Sequence, residues 1–280
     1  MIVVTGASGQ LGTAFRRGLG TDAVYLTHAE LDLAQPDRMK AALAAFRPAV
    51  VLNCAAYTAV DRAESEPAEA RTVNADAVGR LAEMTRALGA RLVTFSTDYV
   101  FDGSARAPYT EASPTRPVNE YGRSKRLGEE AALAAGDHVL IVRTSWLLSG
   151  THDNFATAIL KKARAGGVRV VDDQVGRPTL VDDLVAATLA AVHAGANGVL
   201  HLTNGGPPRT WFDVARSVLT LAGADASSLT PCSTADYPTA APRPAYSVLD
   251  SARLDRFGLE PIGDPEPGLE RAVKELLTWL

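Results

Sequence analysis

The sequence opens with Ile2-Val3-Val4-Thr5-Gly6-Ala7-Ser8-Gly9-Gln10-Leu11-Gly12, and this stretch decides the fold. Its apolar start predicts a short buried strand, and glycines at every third position follow the strand directly. Leu11 and Phe15, four residues apart, then begin a helical pattern that continues to Leu19. Strand, glycine turn and helix in this order are the context that a dinucleotide-binding turn requires. The stretch therefore predicts a parallel α/β sheet with a ligand site at its first turn.

The glycine turn between Gly6 and Gly12 consists of residue types that suit phosphate binding. Glycines let the main chain come close to a pyrophosphate, and the start of the next helix offers amide donors and a positive potential. The spacing is G-x-x-G-x-x-G rather than G-x-G-x-x-G, and a plain tight turn is the alternative interpretation. Because the turn follows an apolar strand directly, we favour phosphate binding.

Strands and helices alternate through the first half of the chain. Apolar runs at 23–26, 48–53, 91–96 and 139–143 predict further strands, with helical patterns between them. Consecutive hydrophobic positions are typical of strands that are buried on both faces of a sheet. We therefore predict an α/β fold with a doubly wound, Rossmann-type parallel sheet. We expect a dinucleotide-binding domain over residues 1–150 and a smaller α/β substrate lobe over 151–280, interleaved with the first.

Small and polar residues stand where the predicted strands end, which is the side on which open parallel sheets bind ligands. Asn53-Cys54-Ala55-Ala56-Tyr57-Thr58 follows the third strand, and Ser96-Thr97-Asp98 follows the fourth. Thr144-Ser145-Trp146 ends the next one. A tight connection between strand and helix is an equal alternative for 53–58. We expect these segments to meet at one edge of the sheet.

The residues after the second strand leave the choice of cofactor open. An NAD enzyme usually carries an acidic residue there for the ribose hydroxyls. In this chain Thr27-His28 follows, and the nearest acids are Glu30 and Asp32. Asp32-Leu33 could line an adenine pocket, but Asp32 could equally cap the helix predicted from Pro36 to Phe46. Both NADPH and NADH therefore remain candidates.

Asn119-Glu120-Tyr121-Gly122-Arg123-Ser124-Lys125 places a tyrosine and a lysine four residues apart. On a helix, that spacing puts both side chains on one face. An ammonium group beside a phenol lowers the pKa of the phenol because it favours the phenolate, and such a phenol can act as a general acid or base. A surface tyrosine above a lysine is the alternative. Beside the glycine turn, the pair predicts proton chemistry next to a nicotinamide.

Composition and charge exclude several classes of function. The net charge of −4 gives no basic surface for nucleic acid. The N-terminus lacks the features of a signal peptide, and no apolar run approaches the ~18 residues of a membrane span, so we expect a cytoplasmic protein that does not bind membranes. Cys54 and Cys232 lie far apart, and no Cys/His spacing is typical of a metal site.

Together these motifs resemble those of the extended short-chain dehydrogenase/reductase superfamily and, within it, of the dTDP-4-dehydrorhamnose reductases. The resemblance spans most of the chain and rests on Thr5–Gly12, Asn53–Asp61, Ser96–Gly103, Asn119–Lys125, Gly176–Thr179 and Arg243-Pro244. It implies reduction of the C4 keto group of the sugar nucleotide dTDP-4-dehydro-L-rhamnose to dTDP-L-rhamnose. NADPH or NADH would supply the hydride, and a homodimer is compatible with the resemblance.

The resemblance also implies roles for individual residues. Thr97, Tyr121 and Lys125 match a catalytic set in which the tyrosine donates a proton, the threonine binds the keto oxygen and the lysine holds the ribose. The implied cofactor contacts are Gly6, Gly9, Gln10, Leu11, Gly12, Asp32, Leu33, Ala55, Ala56, Thr58, Tyr121 and Lys125. The implied substrate contacts are Thr97, Asp98, Trp146, Arg177 and Arg243, with a solvated side chain as the alternative for each arginine.

Two other functions on the same scaffold remain open. One is a sugar-nucleotide epimerase or 4,6-dehydratase. Dehydratases of the superfamily place Asp-Glu after the threonine, whereas here the sequence is Thr97-Asp98-Tyr99. The other is a regulatory subunit that binds a cofactor without catalysis, against which the intact set of Thr97, Tyr121 and Lys125 argues. Fold resemblance alone does not decide between them.

Overall fold

The computed structural model describes residues 1–280 and is built around a six-stranded sheet. Its strands are β1 (Ile2–Thr5), β2 (Ala23–Leu26), β3 (Val50–Asn53), β4 (Arg91–Thr97), β5 (Val139–Thr144) and β10 (Gly198–His201). They lie side by side in the order β10-β5-β4-β3-β1-β2, and all the pairs are parallel. The predicted doubly wound parallel sheet is therefore confirmed.

Helices cover both faces of this sheet. They are α1 (Gln10–Leu19), α2 (Pro36–Phe46), α3 (Val60–Ala63), α4 (Pro67–Arg71), α5 (Ala77–Ala87), α6 (Glu120–Ala134) and α8 (Val181–His193). One buried cluster joins the sheet to α2 and α5 around Met39 and Leu81, and another joins it to α1 and α8 around Phe15 and Leu184. The apolar runs of the strands face helices on both sides, which is why they show no alternation.

The register of the strands aligns their carboxyl ends. Thr5 is paired with Asn53, Asn53 with Thr94, and Thr97 with Thr144. The Thr5 hydroxyl donates to Oδ1 of Asn53 over 2.7 Å, and Nδ2 of Asn53 donates to the Thr94 hydroxyl over 3.1 Å. This buried row of hydrogen bonds ties three neighbouring strands together next to the carboxyl edge of the sheet.

The C-terminal part of the chain forms a second layer with its own core. Its elements are β6 (Leu147–Leu148), α7 (Phe155–Arg164), β7 (Val168–Val171), β8 (Val175–Gly176), β9 (Thr179–Leu180), β11 (Arg209–Thr210), α9 (Trp211–Leu221), β12 (Leu229–Cys232) and α10 (Glu266–Leu276). Trp146, Leu160, Val218 and Leu269 are part of its buried cluster. The strand β10 and the helix α8 return to the six-stranded sheet, so the two layers are interleaved along the chain.

Two segments differ in detail from the sequence-based prediction. The helix expected from Glu66 to Leu88 contains one π-helical turn at Thr72–Asp76, between α4 and α5. The last helix ends at Leu276 rather than continuing to Leu280. No helix of the structure combines the length and the apolar character needed to cross a membrane.

Candidate active site

A cleft of about 1090 Å³ lies between the carboxyl edge of the sheet and the C-terminal layer. The glycine turn, the loop after β3, the end of β4 and the start of α6 form one wall. The opposite wall is formed by the segment before α7, by α7, β7 and the start of α9. From the first wall the lining includes Gly9, Gln10, Leu11, Ala56, Thr58, Ser96, Tyr99, Tyr121 and Lys125.

The geometry of the glycine turn suits a dinucleotide. Gly6 has a φ of +64°, and a Cβ there would lie 2.5 Å from the Ala55 nitrogen. A Cβ at Gly12 would lie 2.4 Å from the Gly6 oxygen. Gly9 precedes α1 without any side-chain cap, so the first amide groups of the helix are available to a ligand. The turn therefore offers the bare backbone that a pyrophosphate needs.

The loop after β3 lies against the glycine turn and is held by Asn74. Ala56 and Thr58 line the cleft, whereas Ala55 packs against Gly6 and the sheet core. The Asn74 side chain accepts from the Tyr57 amide over 2.9 Å and donates to the Tyr57 carbonyl over 2.9 Å. It also donates to the Ser124 hydroxyl on α6 over 2.9 Å. A buried asparagine in the π-helical turn thus positions the loop, a role the sequence analysis did not identify.

Asp32 and Leu33 lie outside the lining of the cleft. The Asp32 carboxylate accepts from the Ala34 amide over 2.9 Å and from the Gln35 side chain over 3.0 Å. These bonds hold the turn that precedes α2, and the backbone bond is the main reason why the pKa of Asp32 is lowered. Leu33 is buried in the sheet core. Asp32 does not cap α2, because Gln35 is the residue at the N-cap and no side chain caps the helix.

Tyr121 and Lys125 lie on the first turns of α6 and both line the cleft. The helix begins at a capped end, since the Asn119 side chain accepts from the Gly122 amide over 2.7 Å. A Cβ at Gly122 would lie 2.2 Å from the Tyr99 carbonyl, so a glycine there lets α6 touch the turn that follows β4. The rings of Tyr121 and Tyr99 meet edge to face, with centroids 6.1 Å apart.

Burial controls the protonation of this pair. Burial and the nearby Asp98 raise the pKa of Tyr121 to about 12, although the Thr97 hydroxyl acts in the opposite direction. Burial lowers the pKa of Lys125 to about 8, while the Glu129 carboxylate acts to raise it. The prediction that Lys125 lowers the pKa of Tyr121 is therefore wrong, because desolvation dominates. At neutral pH the tyrosine keeps its proton and can donate it.

Thr97 and Asp98 lie behind the cleft wall. The Thr97 hydroxyl accepts from the Tyr99 amide over 3.1 Å and donates to Oδ1 of Asp98 over 3.0 Å. Asp98 is 2% exposed, and its Oδ2 has no hydrogen-bond partner. Burial raises the pKa of Asp98 to about 7, and the hydroxyls of Ser247 and Thr97 offset part of that rise. The structure thus brings Thr97, Asp98 and Tyr121 together.

The three other expected substrate contacts differ in their placement. Arg243 lines the cleft and forms a two-bond ion pair with Asp61, at 2.7 and 2.9 Å. Arg177 lies outside the lining and donates to the Leu249 carbonyl over 2.9 Å. Trp146 is buried and stacks on Trp211, with ring centroids 3.7 Å apart and planes at 7°.

The C-terminal layer supplies lining residues that the sequence analysis missed. They include His152, Phe155, Lys162, Trp211 and Tyr237. His152 reaches across the cleft, and its Nε2 lies 3.1 Å from the Ser8 carbonyl of the glycine turn. None of these residues stands in a motif or at a predicted strand end of the first domain, so the sequence offered no signal for them.

Comparison with known proteins identifies relatives along the whole chain. The sequence model described as the RmlD substrate binding domain matches residues 1–278. A dTDP-4-dehydrorhamnose reductase of Mycolicibacterium smegmatis is 41% identical over 97% of this chain and 84% of its own length. A Streptomyces antibioticus protein, named "Probable dTDP-4,6-dihydroxy-2-methyloxan-3-one 4-ketoreductase", is 44% identical over 99% of this chain and 95% of its own length.

Solved structures show the same architecture. The dTDP-4-dehydrorhamnose reductase of Bacillus anthracis str. Ames, in complex with NADP, superposes with a TM-score of 0.94 at 33% identity, over 98% of each chain. A UDP-glucose 4-epimerase of Thermus thermophilus shares the fold at a TM-score of 0.85, with 19% identity over 100% of this chain and 99% of its own. Because the family match extends over nearly the whole sequence, this chain belongs to the RmlD substrate binding domain family.

Proposed function

We propose that the chain reduces the C4 keto group of dTDP-4-dehydro-L-rhamnose to give dTDP-L-rhamnose, with NADPH or NADH as the reductant. The observation that carries this proposal is the half-buried Tyr121, which stays protonated and lies with the buried Lys125 in a cleft that the glycine turn also lines. Relatives at 41% and 43% identity bear the name of this reductase. Position 99 holds a tyrosine rather than the glutamate of a dehydratase, which favours simple reduction over elimination.

The residues of the chain position the reactants and supply the proton. When bound, NADPH or NADH would supply the hydride to the keto carbon. Tyr121 then donates its phenolic proton to the oxygen on which negative charge develops. The Thr97 hydroxyl, close to Tyr121, hydrogen-bonds the reacting oxygen. Lys125 holds the nicotinamide ribose and contributes positive charge.

The cofactor contacts follow from the shape of the first wall. Gly9 brings bare backbone to the pyrophosphate, and Gln10 and Leu11 present the first amides of α1. Gly6 and Gly12 lie outside the cleft lining and serve the site by letting the turn pack closely against Ala55 and the start of α1. The remaining first-wall contacts come from the loop after β3, at Ala56 and Thr58, and Ala55 holds that loop against Gly6. Asp32 and Leu33 shape the turn before α2, and this turn positions the adenosine end of the cofactor.

The substrate occupies the side of the cleft that faces the C-terminal layer. Thr97 and Asp98 lie at its sugar end. Arg243 contacts the diphosphate. Before the substrate binds, Asp61 holds the Arg243 guanidinium in place. Trp146 and Arg177 contribute to substrate binding only indirectly. Trp146 supports the lining residue Trp211, and Arg177 holds the segment around Leu249.

A second candidate is 4-keto reduction of a different dTDP-deoxysugar. The Streptomyces antibioticus relative favours it, since that name specifies another 4-ketoreductase substrate and the identity is 44%. A relative from Streptomyces niveus, at 40% identity, is named dTDP-4-keto-6-deoxy-D-glucose reductase. Both candidates use the same proton donor and differ only in the sugar.

One assay distinguishes the candidates. The chain is incubated with NADPH, or with NADH, and with either dTDP-4-dehydro-L-rhamnose or dTDP-4-keto-6-deoxy-D-glucose, while the absorbance of the reduced nicotinamide is followed. We expect a higher kcat/KM with the rhamnose precursor, and the opposite order would favour the second candidate. Absence of oxidation with both sugars would refute reductase activity. Tyr121→Phe should abolish turnover and leave NADPH binding, measured by fluorescence, largely intact.

We also propose a cytoplasmic homodimer in which residues 1–150 bind the cofactor and 151–280 mainly bind the substrate. The exposed Leu88 of the α5 end and the exposed Leu127 and Leu133 of α6 offer apolar surface for a second copy. Light scattering coupled to gel filtration measures the mass. A mass of one chain at micromolar concentration would contradict the dimer.

A further inference from the structure

His152 joins the two walls of the cleft by a side-chain hydrogen bond. It belongs to the segment before α7 in the C-terminal layer, and its Nε2 lies 3.1 Å from the carbonyl of Ser8 in the glycine turn, 144 residues away. The Thr13 hydroxyl on α1 lies 3.5 Å from the same nitrogen. The bond therefore crosses the cleft where the turn passes into the helix whose first amides are open to a ligand.

The partners of the His152 imidazole determine which ring nitrogen carries the proton. A carbonyl oxygen only accepts hydrogen bonds, so Nε2 is the donor to Ser8. The other nitrogen, Nδ1, lies 3.0 Å from the Thr151 hydroxyl, which can donate to it. A neutral imidazole thus satisfies both contacts, and the two bonds hold the ring in one orientation.

The main chain around His152 is held in place by the C-terminal layer itself. Nδ2 of Asn154 donates to the Ser149 and His152 carbonyls, each over 2.8 Å. Nε1 of Trp279 donates to the Gly150 carbonyl over 2.8 Å. The Asn154 side chain also caps α7. The Nε2 donor is therefore positioned by the fold before any ligand binds, which lowers the entropic cost of its contact.

The bond from His152 fixes the peptide between Ser8 and Gly9. The Gly9 amide donates to the Gly6 carbonyl over 3.0 Å, and the Ser8 carbonyl accepts from His152. A glycine permits rotation of this peptide, because it has no Cβ to restrict it. A free Ser8 carbonyl that rotated toward the start of α1 would bring a partial negative charge next to a bound pyrophosphate. The bond to His152 keeps this oxygen turned toward the C-terminal layer.

We propose that His152 is a positioning residue for the cofactor, which holds the Ser8–Gly9 peptide and closes the C-terminal layer against the glycine turn beside the bound pyrophosphate. This inference rests on the proposed function, in which that turn binds NADPH or NADH. His152 acts through Ser8 and takes no part in proton or hydride transfer. Its loss should therefore speed the release of the cofactor and leave the chemical step at saturating cofactor unchanged.

Two substitutions separate the hydrogen bond from the space that the ring fills. His152→Phe keeps a planar ring without nitrogens, whereas His152→Gln keeps an N–H donor on a side chain of similar length. Excess NADP⁺ displaces bound NADPH in a stopped-flow experiment, and the NADPH fluorescence reports the rate of release. His152→Phe should release NADPH about 3- to 10-fold faster, as expected for one lost neutral hydrogen bond, and His152→Gln should stay within about twofold of the natural chain.

The kinetic constants give a second readout that a general loss of structure would not produce. In His152→Phe the KM for NADPH should rise by about 3- to 10-fold. The rate of a single turnover at saturating NADPH and dTDP-4-dehydro-L-rhamnose should stay within about twofold of the natural rate. Natural release rates in His152→Phe, or equally fast release in His152→Gln, would overturn the proposal. A single-turnover rate that falls as far as the KM rises would also overturn it.

Lys161→Gln on α7 is the comparison within the same layer. It removes the exposed ion pair between Lys161 and Asp153, at 2.7 Å, and leaves the bonds of His152 in place. NADPH should leave this variant at the natural rate, and faster release would overturn the assignment to His152. Release of NADPH is measured without a sugar, so it tests His152 separately from the reaction. Failure of the natural chain to bind NADPH would refute the proposed function, and the role of His152 with it.

Discussion

Glu129 and Arg143 form a two-bond ion pair beneath the cleft, with the Arg143 Nε and Nη2 atoms 2.8 and 2.6 Å from the two carboxylate oxygens. Their side chains are 5% and 6% exposed. Lys125 lies one helical turn before Glu129, and the carboxylate acts to raise the lysine's pKa against the effect of burial. The Glu129–Arg143 pair therefore affects both the packing of β5 against α6 and the pKa of Lys125.

Glu129→Gln should lower the free energy of unfolding by about 3–5 kcal/mol, because it leaves the Arg143 guanidinium buried without its counter-charge. Urea denaturation measures the loss. Glu130→Gln is the matched control: on the same helix it removes the exposed Arg126–Glu130 pair at 2.8 Å, and it should cost under about 1 kcal/mol. Equal losses in the two variants would contradict this account.

Gly12→Ala should abolish cofactor binding, because the added Cβ would lie 2.4 Å from the Gly6 carbonyl and would push the glycine turn open. Fluorescence titration with NADPH measures the dissociation constant. Gly18→Ala on the same helix meets only the end of the Val185 side chain at 3.1 Å, and it should bind NADPH like the natural chain. Tight binding by Gly12→Ala would show that the turn is not the pyrophosphate site.

Asn74→Ala should weaken both the fold and the site. It removes the bonds to the Tyr57 backbone and to Ser124, and the loss of buried partners costs about 1–3 kcal/mol for each group left unsatisfied. The freed loop carries Ala56 and Thr58, so the KM for NADPH should rise more than kcat falls. Steady-state kinetics and urea denaturation check the two effects, and an unchanged KM would contradict the positioning role.

His201 should make the chain sensitive to acid. Burial, together with the nearby Arg143 charge, lowers the pKa of His201 from 6.5 to about 3 in the folded state. The unfolded chain therefore binds one more proton between these values, and stability is lost as the pH falls below 6.5. The loss amounts to roughly 2 kcal/mol between about pH 7 and about pH 5.

His201→Gln should remove that part of the pH dependence. Urea denaturation of both chains at about pH 7 and about pH 5 measures it, and the difference between the two conditions should shrink by roughly 2 kcal/mol in the variant. His193→Gln, which changes an exposed imidazole at the end of α8, serves as the control. If the difference in unfolding free energy between the two pH values shrinks equally in both variants, the effect comes from losing any histidine charge rather than from the burial of His201.

The sequence by itself determined the sheet and the first wall of the cleft. The strands of the sheet are continuous apolar runs, and the glycine turn and the Tyr121/Lys125 spacing are local patterns, so each can be recognised from neighbouring residues. The resemblance to the superfamily added that Tyr99 stands where a dehydratase has a glutamate, which argues against elimination.

Only the tertiary structure decided the second wall of the cleft and the protonation states of Tyr121 and Lys125. His152, Trp211 and Lys162 line the same cleft as Tyr121 although they lie far from it in the sequence, and no local pattern encodes such a contact. The protonation states of Tyr121 and Lys125 could not be predicted from the sequence either, because pKa values depend on burial. The sequence predicted a tyrosine whose pKa is lowered by a lysine, whereas desolvation raises the pKa of Tyr121 and lowers that of Lys125.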